Sequence, residues 1–169
     1  MITRWHLKNL PVSFSNRRAG GRIVEVLMEW PEPTIWGFVL HRSWRVGVLP
    51  YASGVVVTPF GLYVPPGVAV QKWSRARLRS QLANTAHWLH ASLVDPDDNP
   101  LGMVRDLVLD SGNPVLQGLI VSRGLLHDLW TGALIVSLDQ ISVTDNGCMK
   151  MRSSGQTVGE QEAPQGGDM

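Results

Sequence analysis

His87 and His90 have the spacing that would let two imidazoles share a metal ion, because positions three apart on a helix lie on one face. No third ligand stands near them in sequence, so an unoccupied surface pair is expected. Asp95, Asp97, Asn99 and Asp106 fall at positions 1, 3, 5 and 12 of a calcium loop. There, however, Pro100 replaces the glycine of the sharp turn, an Asp stands for the terminal Glu, and no flanking helices are expected. Cys148 is the one cysteine, which excludes an internal disulfide and a cysteine-based zinc site. With no histidine close in sequence to activate it, it reads as a buried structural thiol. Gly20-Gly21 lacks the spaced glycines of a phosphate loop and reads as a turn. No spacing ties the serines and histidines into a triad. The expectation is therefore a protein that is not an enzyme, with no catalytic residue, no metal and no cofactor.

Charge and aromatic residues point to contacts with macromolecules. Residues 1–90 hold eleven Lys/Arg against three acids, a balance of +8, while residues 91–169 hold four against eleven, a balance of −7. Such a division suits a basic surface for nucleic acid or anionic lipid, or two halves that attract each other. Ser74 is placed to cap a helix running to about Leu89, with Leu78, Leu82, Ala86 and Leu89 on one stripe. Three arginines at its start, Arg75, Arg77 and Arg79, oppose the helix dipole and favour an anionic neighbour. Acids of the second half, or of a neighbouring chain, are the expected partners. The chain has seven tryptophans, and Trp73 and Trp88 bracket this helix. With the three arginines they form the candidate interaction surface, since Trp and Arg are favoured in contact centres.

The elements that carry these residues are repeated. Gly21 to Met28 matches Gly102 to Leu109 position by position at an offset of 81, and Ile35 to Leu40 matches Leu116 to Val121 at the same offset. Further on, Gly47-Val-Leu49 aligns with Ala133-Leu-Ile135, and Val57-Thr58 with Val143-Thr144, at an offset of 86. A longer loop containing Gly124, His127 and Asp128 is expected between Val121 and Ala133. Short apolar runs separated by turn signals predict strands in both copies, and Asn146-Gly147 predicts a tight hairpin. Alternation slips around Asp106, as at Glu25, which predicts a β-bulge at each acid.

The run Pro100-Leu-Gly102, Val104, Asp106-Leu-Val-Leu109, Gly118-Leu-Ile-Val121 and Ile135-Val-Ser-Leu138 resembles the PRC-barrel family. The first copy, with Trp30, Pro31, Pro33 and Trp36, is the more divergent. The resemblance implies an all-β fold: two small six-stranded β-barrels joined by a linker containing a short helix. The expected organisation is a first barrel over 1–70, a helical linker over 71–90, a second barrel over 91–151 and a disordered tail over 152–169. It also implies a docking role toward a protein partner or a second copy. RNA-processing or ribosome-linked work by the basic half is the alternative, and peripheral membrane contact is a further option. No run is long enough for a spanning helix and no signal peptide is evident, so a cytoplasmic location is expected.

Overall fold

The computed structural model describes residues 1–15, 19–42, 45–52, 54–110, 115–124, 132–144 and 148–152. The expected hairpin at Asn146-Gly147, the loop around His127 and Asp128, Trp44, Trp130 and residues 153–169 lie outside the described residues.

Apolar runs rich in Val, Ile and Leu become strands in both halves. The chain runs through β1 (Ile2–Thr3), α1 (Arg4–Leu7), β2 (Pro11–Phe14), β3 (Ala19–Met28), β4 (Ile35–Arg42), β5 (Arg45–Pro50), β6 (Val56–Thr58) and β7 (Gly61–Val64). It continues through α2 (Arg75–His90), β8 (Ser92–Val94), β9 (Pro100–Leu109), β10 (Leu116–Ser122), β11 (Leu134–Ser137), β12 (Ile141–Val143) and β13 (Met149–Met151). The protein is mostly β, arranged as two sheets. One has the order β5-β4-β3-β2-β7-β6 and the other β11-β10-β9-β8-β13-β12, with β1 pairing onto β9. Counted from β2 and from β8, the two orders are the same. Each contains one parallel pair, β2 with β7 and β8 with β13, among otherwise antiparallel neighbours.

The repeat is in register residue by residue. Ile23 pairs with Leu40, Glu25 with Val39, Val26 with Phe38 and Leu27 with Gly37; Val104 pairs with Val121, Asp106 with Ile120, Leu107 with Leu119 and Val108 with Gly118. Every one of these pairs is displaced by 81. The ladder slips between Ile23 and Glu25 and between Val104 and Asp106, the bulges expected at the two acids. Each carboxylate then accepts the next backbone N–H, Val26 N to Glu25 Oε1 at 3.0 Å and Leu107 N to Asp106 Oδ1 at 2.9 Å. Gly21 and Gly102 have φ of 98° and 142°, and a Cβ on either would lie 2.3 Å from a facing carbonyl oxygen, that of His41 or Ser122. Only glycine meets both demands.

One expected alignment shifts. Gly37 faces Pro50 and Gly118 faces Ser137, so β5 and β11 are related by 87, and Val48 corresponds to Ile135. Residue types alone had paired Leu49 with Ile135; the ladder shows that the loop before β11 carries one more residue than that alignment allows.

The core does not divide at the repeat boundary. Val26, Met28, Phe38 and Leu49 belong to the same buried cluster as Leu107, Leu109, Leu119 and Val136, with Leu7 and Trp88 among them. Helix α2 begins where Ser74 was expected to cap it, the Ser74 hydroxyl accepting from Arg77 N at 3.2 Å. Its buried face differs from the expected stripe. Ala86 is exposed, while Thr85 and Trp88 are buried beside the half-buried Leu78, Leu82 and Leu89. Thr85 is drawn inward by hydrogen bonds to strand backbone, a contact that hydrophobic periodicity does not register.

Candidate functional site

Helix α2 lies across the outer face of the first sheet, and its amino-terminal half carries most of the residues expected to bind. Leu27, Val39 and Val48 point away from the main core and form a second apolar cluster with Trp36, Trp73, Leu78 and Leu82. Leu78 and Leu82 are four apart, so both reach the sheet from one side of the helix. Trp73 precedes the cap and meets Trp36 of β4 edge-on, with ring centroids 5.0 Å apart. Arg77 lies over both rings, its guanidinium carbon 4.0 Å from the centroid of Trp73 and 5.5 Å from that of Trp36. Gln71 Oε1 accepts from Trp73 Nε1 at 3.2 Å, and the Gln71 backbone pairs with Val48 at the edge of β5. The result is an arginine steadied on two half-buried tryptophans, with its charged edge toward solvent.

Arg75 and Arg79 are exposed on the opposite flank of the helix from Arg77, as their spacing of four predicts. Among the described residues no salt bridge involves Arg75, Arg77 or Arg79; the four ion pairs are Arg4–Glu25, Arg4–Asp106, Lys8–Glu25 and Lys150–Asp98. Among the described residues these arginines therefore pair with no acid of the second half; a neighbouring chain is the other partner expected of them. Arg77 is held by aromatic faces instead, and the second half's Asp106 is engaged elsewhere. Trp88 does not share this surface. It is 1% exposed, packed edge-on to Trp30 with its Nε1 donating to the Glu29 carbonyl.

The opposite charges of the halves do meet, at α1. Arg4 forms a two-point pair with Glu25, its Nε 2.6 Å from Oε1 and its Nη2 on Oε2, and its Nη1 lies 3.9 Å from Asp106 Oδ1. Lys8 Nζ reaches Glu25 Oε2 at 3.2 Å, and Trp5 N donates to Asp106 Oδ2 at 3.2 Å. The side chains of Arg4, Glu25 and Asp106 are 11 to 14% exposed. The two bulge acids, equivalent in the repeat, therefore converge on one arginine. Sequence reading found the acids but not the arginine. Arg4 belongs to no motif, and only the contact of β1 with β9 brings it there.

The other residues singled out by spacing are not drawn into one centre. His87 stacks on Trp30 with centroids 5.8 Å apart. Asp95 accepts from the backbone of Asp97 and from the backbone and side chain of Asn99, while Asp106 faces α1, so the four residues with calcium-loop spacing do not converge. Hydrogen bonds from the Asn99 side chain and then its backbone hold the Asp95 carboxyl below its ordinary pKa. Cys148 is half-buried, its Sγ 3.6 Å from the Ser92 carbonyl oxygen. Among the described residues no group of three or more His, Cys, Asp or Glu could hold a metal, and no helix is long and apolar enough to cross a membrane. No protein-family model matches the chain, and no curated protein matches it significantly.

Proposed function

We propose that this chain is a non-catalytic docking module of two PRC-type barrels, each six-stranded sheet closing on itself, which engages a protein partner in the cytoplasm. The matched strand order and the 81-residue register support the tandem reading. The observation that carries the docking role is Arg77 on Trp73 and Trp36, exposed and without an acidic partner among the described residues. A guanidinium stacked on aromatic rings has little freedom left to lose on binding, and its N–H edge remains suited to a carboxylate. The first half's charge of +8 also favours RNA phosphate. Base stacking does not fit this patch as well, because the rings of Trp36 and Trp73 already pack edge-on against each other and lie under Arg77.

A photo-crosslinking residue placed at Lys72, beside this patch, tests the reading against the same residue at Phe60, exposed on the turn between β6 and β7. A discrete protein adduct in cells from position 72, lost when Arg75, Arg77 and Arg79 are changed to Glu, is the expected result. Equal adducts from both positions, or none, would overturn it. Salt-sensitive RNA adducts from position 72 would give the site to the RNA reading.

A further inference from the structure

The two repeats present the same outer sheet face, but only one of them is covered. Register places Leu27, Val39 and Val48 of the first sheet in correspondence with Val108, Ile120 and Ile135 of the second. In the first sheet all three are buried beneath Leu78, Leu82 and Trp73 of the α2 region. In the second, Val108 is buried where Thr3 of β1 pairs with it, Ile120 is half-buried, and Ile135 is 64% exposed. The reason lies in the helices that precede each repeat. Ile23 N donates to the Leu10 carbonyl and Val104 N to that of Ala91, so the chain enters both sheets in the same way. The same offset sets Leu7, buried at the end of α1, on Trp88, buried near the end of α2. Helix α1 spans four residues and α2 sixteen. The short helix reaches Asp106, and β1 before it reaches Val108.

We infer that the outer face of β9, β10 and β11 is a second docking surface, and that its occupant is a basic amphipathic helix of a partner protein with leucines four apart. The covered sister face shows the kind of element that fits: Leu78 and Leu82 over the three aliphatic positions, with arginines on the flanks. The bare face continues an interface that already exists, the contact of β1 and α1 with β9. Its charge also fits at one end of the sheet, where Asp110 and Asp139 follow the ends of β9 and β11, while the cations Arg105 and Arg123 stand on β9 and just after β10 at the other end. This surface is distinct from the Arg77 patch, so either can fail without the other.

A labelled peptide of residues 72–90 of this chain serves as the probe, titrated into the intact protein by fluorescence anisotropy. Saturable binding is expected, weakened at least tenfold by Ile135→Lys in the protein or by Leu78→Ala with Leu82→Ala in the peptide. Because Ile135 is exposed, the variant should keep its circular dichroism and melting temperature. Absence of binding, or equal binding to Ile135→Lys, would overturn the proposal, the latter by showing exchange with α2 on the first sheet. Dimers of the free chain that Ile135→Lys dissolves would assign the face to a second copy. Binding that appears only after residues 125–131 are replaced by a Gly-Ser linker would assign it to that segment.

Discussion

The end of β3 and the end of β9 occupy the same place in the two repeats, yet different partners complete them. At β3 the backbone is satisfied by side chains of α2. Met28 N donates to Thr85 Oγ1 at 3.0 Å, the Thr85 hydroxyl faces the Val26 carbonyl at 3.2 Å, and Gln81 Nε2 donates to the Met28 carbonyl at 3.1 Å. At β9 the chain's first residues do the same work as a strand, Ile2 pairing with Leu109 and Thr3 with Val108. An unpaired strand edge requires donors and acceptors, and helix side chains or a second backbone can supply them. In each case the completing element lies outside the six-stranded set: β1 precedes the first repeat and lies on the second, while α2 precedes the second and lies on the first. The halves are therefore interleaved at their seam, which explains why one buried cluster runs through both.

That interleaving has its largest consequence in the core. Phe38 and Leu119 are equivalent and fully buried, and replacing either by Ala should cost about 2 to 5 kcal/mol. Because the core is shared, urea denaturation of either variant should remain a single transition at a lower midpoint. Two separated transitions would show that the repeats unfold independently, against the seam described above.

Next in size is the charged seam. Arg4→Ala removes the partner of Glu25 and the nearest cation to Asp106 while Lys8 remains, and should destabilise by about 1 to 3 kcal/mol. Adding Glu25→Gln should recover part of that loss, since the stranded charge is then gone. A double-mutant cycle with no coupling would reduce the cluster to a surface ion pair.

Thr85→Val keeps the shape of the side chain and leaves the Met28 N–H without its acceptor, a change of about 1 to 2 kcal/mol. The matching perturbation on the other edge, Thr3→Pro, should act through the β1–β9 pairing. Hydrogen exchange should then rise at Met28 in the first variant and at Val108 and Leu109 in the second, each without the other. Simultaneous loss at both ends would mean that the two edges open as one unit.

The smallest effect concerns the turn between β8 and β9. Asn99→Ala should raise the Asp95 titration toward the ordinary carboxylate value, followed by carbon NMR of the side chain. The sign follows from a lowered folded-state pKa. The contribution is present above the unfolded value and disappears as pH falls through the folded one.

Local pattern carried much of this fold. Gly21 and Gly102 marked the same close approach in both copies, the bulges at Glu25 and Asp106 were visible as slips in alternation, and Ser74 announced α2. The register of β11 was missed by one residue because Leu134, Ile135 and Val136 are all aliphatic, and hydrophobicity alone cannot say which of them faces inward. Thr85 was missed because a threonine inside a helix reads as polar surface until a strand end is placed beside it. For the candidate surface, Arg75, Arg77, Arg79 and Trp73 were legible as a cluster at a helix start, but Trp88 belongs to the interior and Trp36, forty-one residues before Arg77, completes the stack.

Residue types and spacing were enough to establish the repeat, its strands and the helix between the copies, because these depend on periodicities of a few residues and on backbone conformations that glycine alone accepts. Three-dimensional packing settled the rest: Arg4 between two acids that lie 21 and 102 residues away from it, Trp36 beneath Arg77, and one sheet face covered while its equivalent leaves Ile135 exposed. Contacts between segments distant in the chain leave no periodic trace in it, since each side chain need only fit its neighbour in space.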